Sequence, residues 1–325
     1  MSQFIISIIA LVGLVVIASC DGSGPDIREA SGFEGVTLEF TDYPQEEIYK
    51  GSQFSFNVEL FNKGFYTSDR ARLFVRNPPT HFERKNGEEV VEITNLVGME
   101  KNPAGGFKGP YYHSFLVQDI PGGLTRQTIP FAASMCYLYK TEAHLFVCGG
   151  KPEKPEEECD AEKHNTKVIS RGQGAPLAVS SILYDLRPVE DGSKHVASFT
   201  IELANKGAGS VFKNDVTGSE DALDRACLNP TAEIANTLDY RVDFGATAYY
   251  DSRSGTSSGI TCNPQKITFA DKSQNPKIIC VQDYDADPTT AFSFGTSVLV
   301  PVTITLDYVY QIGNSVQLTF RNPDG

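Results

Sequence analysis

The sequence has no Trp and only 3 Met among its 325 residues. It carries no C-x-x-C, H-E-x-x-H, P-loop or G-x-G-x-x-G pattern, and no Asn-x-Ser/Thr sequon. These absences remove the motif-level case for zinc ribbons, zinc proteases and nucleotide-binding folds. They also argue against a heavily N-glycosylated surface lattice. Positive charge is scarce as well: 28 Lys and Arg stand against 41 Asp and Glu, a formal charge of −13 with a pI near 4.9. Gripping nucleic acid or an anionic bilayer surface takes a Lys/Arg-rich face that displaces counterions, so no nucleic-acid partner is expected. The abundant residues are 20 Phe, 14 Tyr, 28 Gly and 18 Pro, a composition that suits short strands and many turns.

A long apolar run opens the chain, 16 uncharged residues from Phe4 to Ser19. It is short for a spanning helix, which needs about 20 residues, and long enough for a signal-peptide core. It ends in Ile17, Ala18, Ser19 and Cys20, which resembles a lipobox; the resemblance implies that Cys20 is lipidated and becomes the N-terminus. The segment before it has no Lys or Arg, where a positive charge normally sets orientation. Three readings stay open: lipoprotein, uncleaved anchor, or ordinary cleavage. Each makes residues 1–20 a signal peptide or membrane anchor and residues 21–34 a flexible tether, with everything that follows extracytoplasmic at the cell surface.

Six further cysteines remain, Cys136, Cys148, Cys159, Cys227, Cys262 and Cys280. An even number in an exported chain, with no close metal-type spacing, points to structural disulfides. Cys262 and Cys280 flank two short apolar stretches and are expected to pair; the connectivity of the other four stays open.

The hexamer ELFNKG at residues 59–64 recurs as ELANKG at residues 202–207. Each closes a run of strict alternation, Phe54, Phe56, Val58, Leu60 in one case and Ala197, Phe199, Ile201, Leu203 in the other. Period two with polar residues between marks a strand with one buried face, and Asn-Lys-Gly supplies a turn. A second match follows: Pro130 precedes Tyr137 and Tyr139 at the offsets at which Pro301 precedes Tyr308 and Tyr310. One module therefore stands in the chain twice, over residues 35–150 and 175–325, joined by a Pro/Gly/charged linker at residues 151–174. The second copy is longer between these landmarks, and the excess is expected as a Cys-stapled insertion near residues 251–295. Cys136 aligns with outward Asp307, so its partner is expected in the linker or at Cys227.

Other short strands are expected at residues 35–40, 71–75, 89–93, 113–118, 143–147, 177–184, 239–250 and 315–320, with one helix at residues 219–228. So many strands punctuated by turns read as all-β, two tandem β-sandwiches. The motifs FSFNVELFNKG and ASFTIELANKG resemble the opening strand and turn of CARDB-type immunoglobulin-like modules, found on bacterial and archaeal surface proteins. The resemblance implies two tandem immunoglobulin-like β-sandwich domains serving as spacers, adhesins or assembly subunits. An antibody-type core Trp is missing, so the kinship is architectural.

Chemistry is sparse. Asp283, Asp285 and Asp287 alternate as the start of a Ca²⁺ loop would. Pro288 stands where such a loop takes Gly and Phe294 where it takes Glu, so a solvated acidic turn is the expectation and no cofactor is assigned. The five histidines show no metal spacing, and those in strands read as packed or solvated. Tyr249 and Tyr250, beside a Ser/Gly-rich loop, are the candidate contact surface for glycan or protein. The expected function is non-enzymatic: a membrane-anchored surface protein for adhesion, binding or scaffolding. Its partners would be the membrane through the N-terminus, and surface proteins, glycans or copies of itself. The alternatives are a filament or lattice subunit, with GVTLEF at residues 35–40 as the strand to exchange, and a ligand-binding accessory of a surface complex.

Overall fold

The computed structural model describes residues 30–76, 81–120, 124–149, 166–168, 172–188, 194–214, 222–228, 230–245, 248–269, 275–285 and 298–322. Most of them are in strands. A four-stranded sheet has the order β1 (Val36–Thr41), β3 (Gln53–Asn62), β7 (Gly106–Val117), β5 (Phe82–Asn86). A five-stranded sheet has the order β16 (Thr261–Asn263), β18 (Lys277–Asp285), β11 (Lys194–Asn205), β10 (Leu177–Pro188), β9 (Thr166–Val168). Both lie on a ten-stranded sheet whose main path runs β15 (Thr256–Ser258), β14 (Ala248–Asp251), β13 (Thr237–Phe244), β19 (Val298–Arg321), β8 (Arg126–Gly149), β4 (Ser68–Val75), β6 (Val90–Leu96). Off that path, β2 (Ile48–Tyr49) and β12 (Ser210–Lys213) pair with β19, and β17 (Ile267–Thr268) pairs with β13. A single described helix, α1 (Ala222–Cys227), falls within the expected helical segment.

The alternating hydrophobics form these layers as period two requires. Phe54, Phe56, Val58 and Leu60 of β3 are all buried, as are Ala197, Phe199, Ile201 and Leu203 of β11. In the first lobe Phe54 and Phe82 meet Phe131 of β8 and Phe320 of β19, closing one sandwich. In the second, Tyr184 and Phe199 pack on Phe244 of β13.

The long strands cross both lobes. β8 and β19 are 24 residues each and pair antiparallel from Arg126↔Arg321 to Gly149↔Val298. Residues 143–147, expected as a separate strand, continue β8 into the second lobe, and residues 315–320 continue β19 into the first. Chain segments and sandwiches therefore do not map one to one, and the buried core is continuous from end to end. Leu138 pairs with Val309 at the centre, flanked by Tyr137↔Tyr310 and Tyr139↔Tyr308. Exchanging the two copies in the sequence alignment exchanges these pairs, so a pseudo-dyad passes through Leu138 and Val309. Strand order obeys it too: β1-β3-β7-β5 matches β10-β11-β18-β16. β18, expected within an insertion, is thus the counterpart of β7 and a full member of its sheet.

The segment GVTLEF is paired within its own lobe, Val36–Thr41 against Asn57–Asn62. The end of the expected linker is not loose either: Gly172, Gln173 and Gly174 are buried, and the Gln173 side chain clasps both backbone groups of Val179.

Candidate functional site

The site to which both repeated motifs contribute is the waist on the pseudo-dyad. Tyr137, Tyr139, Tyr308 and Tyr310 point from the long sheet toward the side carrying the outer sheets and pack edge to face around the centre. All four are buried, and burial pushes each phenol above its ordinary pKa, Tyr310 to about 12. They are therefore neutral hydrogen-bonding groups. The Tyr139 hydroxyl donates to Asn62 Oδ1 at 3.4 Å and shares its proton with the Gly174 carbonyl at 3.3 Å. The Tyr310 hydroxyl donates to Asn205 Oδ1 at 2.8 Å. These are the two asparagines of the repeated hexamer. Asn62 Nδ2 donates to the carbonyls of Tyr66 and Leu96, and Asn205 Nδ2 to that of Gly209. Each Oδ1 also accepts from the backbone two residues on, Gly64 N at 3.1 Å and Gly207 N at 3.2 Å.

The glycine of each hexamer is required by close approach. A Cβ at Gly64 would sit 2.0 Å from the Tyr139 hydroxyl, and one at Gly207 2.2 Å from that of Tyr310. The remaining hydroxyls serve the first strand of each lobe: Tyr137 accepts from Val36 N at 3.2 Å, and Tyr308 contacts Thr141 Oγ1, which donates to the Leu177 carbonyl. The repeated motifs are thus the two halves of one polar lock. Turn chemistry accounts for Asn-Lys-Gly locally; the tyrosines 77 and 105 residues away are invisible to a local reading.

On the opposite side of the sheet α1 covers the dyad. Leu223 and Ala226 pack with Phe212 on Cys136 and Val309. A disulfide joins Cys136 to Cys227, and Arg72 of β4 is ion-paired to Asp224 of α1 and to Glu92 of β6. Beside this cover two carboxylates oppose each other across strands, Asp239↔Asp307. Asp239 is buried, with Lys213 Nζ at 3.4 Å and Arg253 Nε at 3.7 Å. Burial raises the Asp307 carboxyl, against the opposing pull of Arg253 and Lys140. The cluster holds compensated charge under partial cover.

Cys262 and Cys280 are joined, as adjacent residues of β16 and β18. Cys148 pairs through its backbone with Leu299, while Cys20, Cys159 and Asp287 lie outside the described residues. Asp283 and Asp285 lie in β18, paired with Val196 and Lys194, rather than in a loop. Among the described residues no three His, Cys, Asp or Glu converge as a metal site would need. The tyrosine pair is split by strand alternation. Tyr250 is buried and stacks on Tyr240 at 5.6 Å, which removes it from any contact surface, while Tyr249 faces outward under the Arg241 guanidinium. A shallow groove of about 460 Å³ is lined by Asp42, Tyr43, Glu46, Glu47, Ile48 and Gln53, among others.

His113, read from the sequence only as a strand histidine, is almost fully buried. Arg84 Nη1 donates to its Nδ1 at 3.1 Å, which places the proton on Nε2 and makes the ring neutral. Burial, reinforced by the guanidinium, lowers its pKa to about 4. No protein-family model matches the chain, and no curated protein matches it in sequence.

Proposed function

We propose that this is a non-enzymatic, membrane-anchored extracytoplasmic protein in which two immunoglobulin-like sandwiches act as one stiff unit for adhesion, binding or scaffolding. The observation that carries this reading is the fusion of the lobes through β8 and β19. Two sandwiches joined by a loop would hinge, whereas two that share paired 24-residue strands and a continuous core hold their ends at a fixed separation. Each strand runs about 80 Å at ~3.4 Å per residue. Such a body suits a spacer or platform. The lipobox-like Ile17–Cys20 and the two disulfides support an exported location. The filament alternative relied on GVTLEF as a strand left to exchange, and that strand is occupied by β3.

The test is to recover the full chain from membranes and measure intact mass and solution mass together. A chain that begins at Cys20 with added lipid and is monomeric in detergent is the expected result. An intact Met1 would sink the lipoprotein reading, and ordered polymers at rising concentration would replace the platform with a lattice subunit.

A further inference from the structure

The side of the waist on which the described chain begins decides how the anchored protein stands, so this inference rests on the anchored reading above. Gly32 forms a bridge with Gly172, Gly174 N donates to the Gly32 carbonyl at 2.8 Å, and Val36 N donates to the Tyr137 hydroxyl. Residues 32–36 therefore lie over the tyrosine face of the long sheet, the side that carries both outer sheets. α1 lies on the other side, against Cys136 and Val309, whose side chains point opposite to those of Tyr137 and Tyr310 next to them.

The ten steps from Cys20 to Ala30 reach at most about 35 Å fully extended. They are rooted on the pseudo-dyad, midway along a body about 80 Å long. Turning the α1 side toward the bilayer would take this segment past two sheet layers ~10 Å apart, and across half the long sheet at ~4.8 Å per strand, before it met lipid.

We infer that the anchored protein stands broadside on the membrane with its pseudo-dyad along the normal, outer sheets toward the lipid and the α1-bearing face outward. Anything arriving from outside then meets the free face of the ten-stranded sheet, with exposed Gln317 over the first lobe and exposed His144 and Phe146 over the second. Exposed Tyr112, Leu183 and Ile279, on the outer sheets, face the bilayer.

Full chain carrying Gln317→Cys, His144→Cys, Tyr112→Cys or Ile279→Cys is labelled with a donor dye under non-reducing conditions, with the unsubstituted chain as background. Each is reconstituted in phosphatidylcholine vesicles that contain an acceptor-labelled lipid. Energy transfer from positions 317 and 144 is expected to be at least about twofold weaker than from 112 and 279, since the faces are separated by ~10 Å between sheets plus side chains. Within each pair, the two lobes should agree. Equal transfer from all four positions, or the reverse order, overturns the orientation while leaving the anchor intact. Failure of the unsubstituted chain to stay with the vesicles overturns the anchored reading and the orientation with it.

Discussion

The two lobes fasten the same seam in different ways. In the second, Cys280 of β18 lies opposite Phe199 of the repeat, and its disulfide to Cys262 holds edge strand β16. In the first, the residue opposite the equivalent Phe56 is His113 of β7, and its ring accepts a hydrogen bond from Arg84 of edge strand β5. One seam is covalent and sensitive to reductant; the other is built on a neutral imidazole and sensitive to acid. The lobes differ in filling as well. Phe131 is ringed by Phe54, Phe56, Phe82, Phe115 and Phe320, while its counterpart Val302 is aliphatic. A fold held by dense aromatic packing can leave its edge to a hydrogen bond, whereas a lobe with a lighter centre has a cross-link there.

The largest break in this comparison is expected at its centre. Phe131→Ala should cost about 3–5 kcal/mol, because five ring contacts are lost around a cavity. Val302→Ala should cost about 2 kcal/mol, two methyl groups at ~0.8 each plus a small void. Chemical denaturation measures both, and equal costs would mean that the lobes are filled alike. Because β8 and β19 serve both cores, each variant should still unfold in one transition. Replacing Cys262 and Cys280 together by Ala should cost about 3 kcal/mol, from a cross-link closing 18 residues.

Acid should act on the other seam. The His113 pKa of about 4 lies below the unfolded value near 6.5, so between these pH values the unfolded chain binds a proton that the folded chain refuses. The neutral ring's contribution is whole above pH 6.5 and is lost as pH falls toward 4, up to about 3 kcal/mol. His113→Gln should flatten the slope of stability against pH in that window. An unchanged slope would place acid sensitivity elsewhere.

What was legible in the sequence follows from what period two encodes. Alternation at Phe54–Leu60 and Ala197–Leu203 marks strands and their buried faces, and the paired offsets to Tyr137 and Tyr308 mark a repeat. Alternation does not say which strand is the neighbour, nor where a strand passes from one core to the next. β8 reads as two strands because Thr141 interrupts the apolar face; its hydroxyl is buried, bonded to the Leu177 carbonyl. β19 reads as broken at Gly313-Asn314, a turn pair, yet Asn314 stays in the strand and donates to the Leu38 carbonyl. At both places a polar residue faces inward to meet the first strand of a lobe. Tyr250 and His113 were illegible for a related reason, since burial depends on which face a strand presents and on the layer above it.

The finest difference is within the polar lock. Asn62 is fully buried and holds two carbonyls, one backbone amide and the Tyr139 hydroxyl; Asn205 is partly exposed and holds one carbonyl, one amide and the Tyr310 hydroxyl. Removing a buried partner costs the desolvation of whatever it leaves unpaired, about 1–3 kcal/mol, and water can compensate where there is access. Asn62→Ala should therefore cost about 2–3 kcal/mol and Asn205→Ala about 1 kcal/mol, by denaturant midpoint at constant slope. Combining Asn62→Ala with Tyr139→Phe should cost less than the two separately, because the hydroxyl has then lost one of its two acceptors already. Strict additivity in that cycle would show that the hexamer and the tyrosines are independent, and the repeat would be turn chemistry after all.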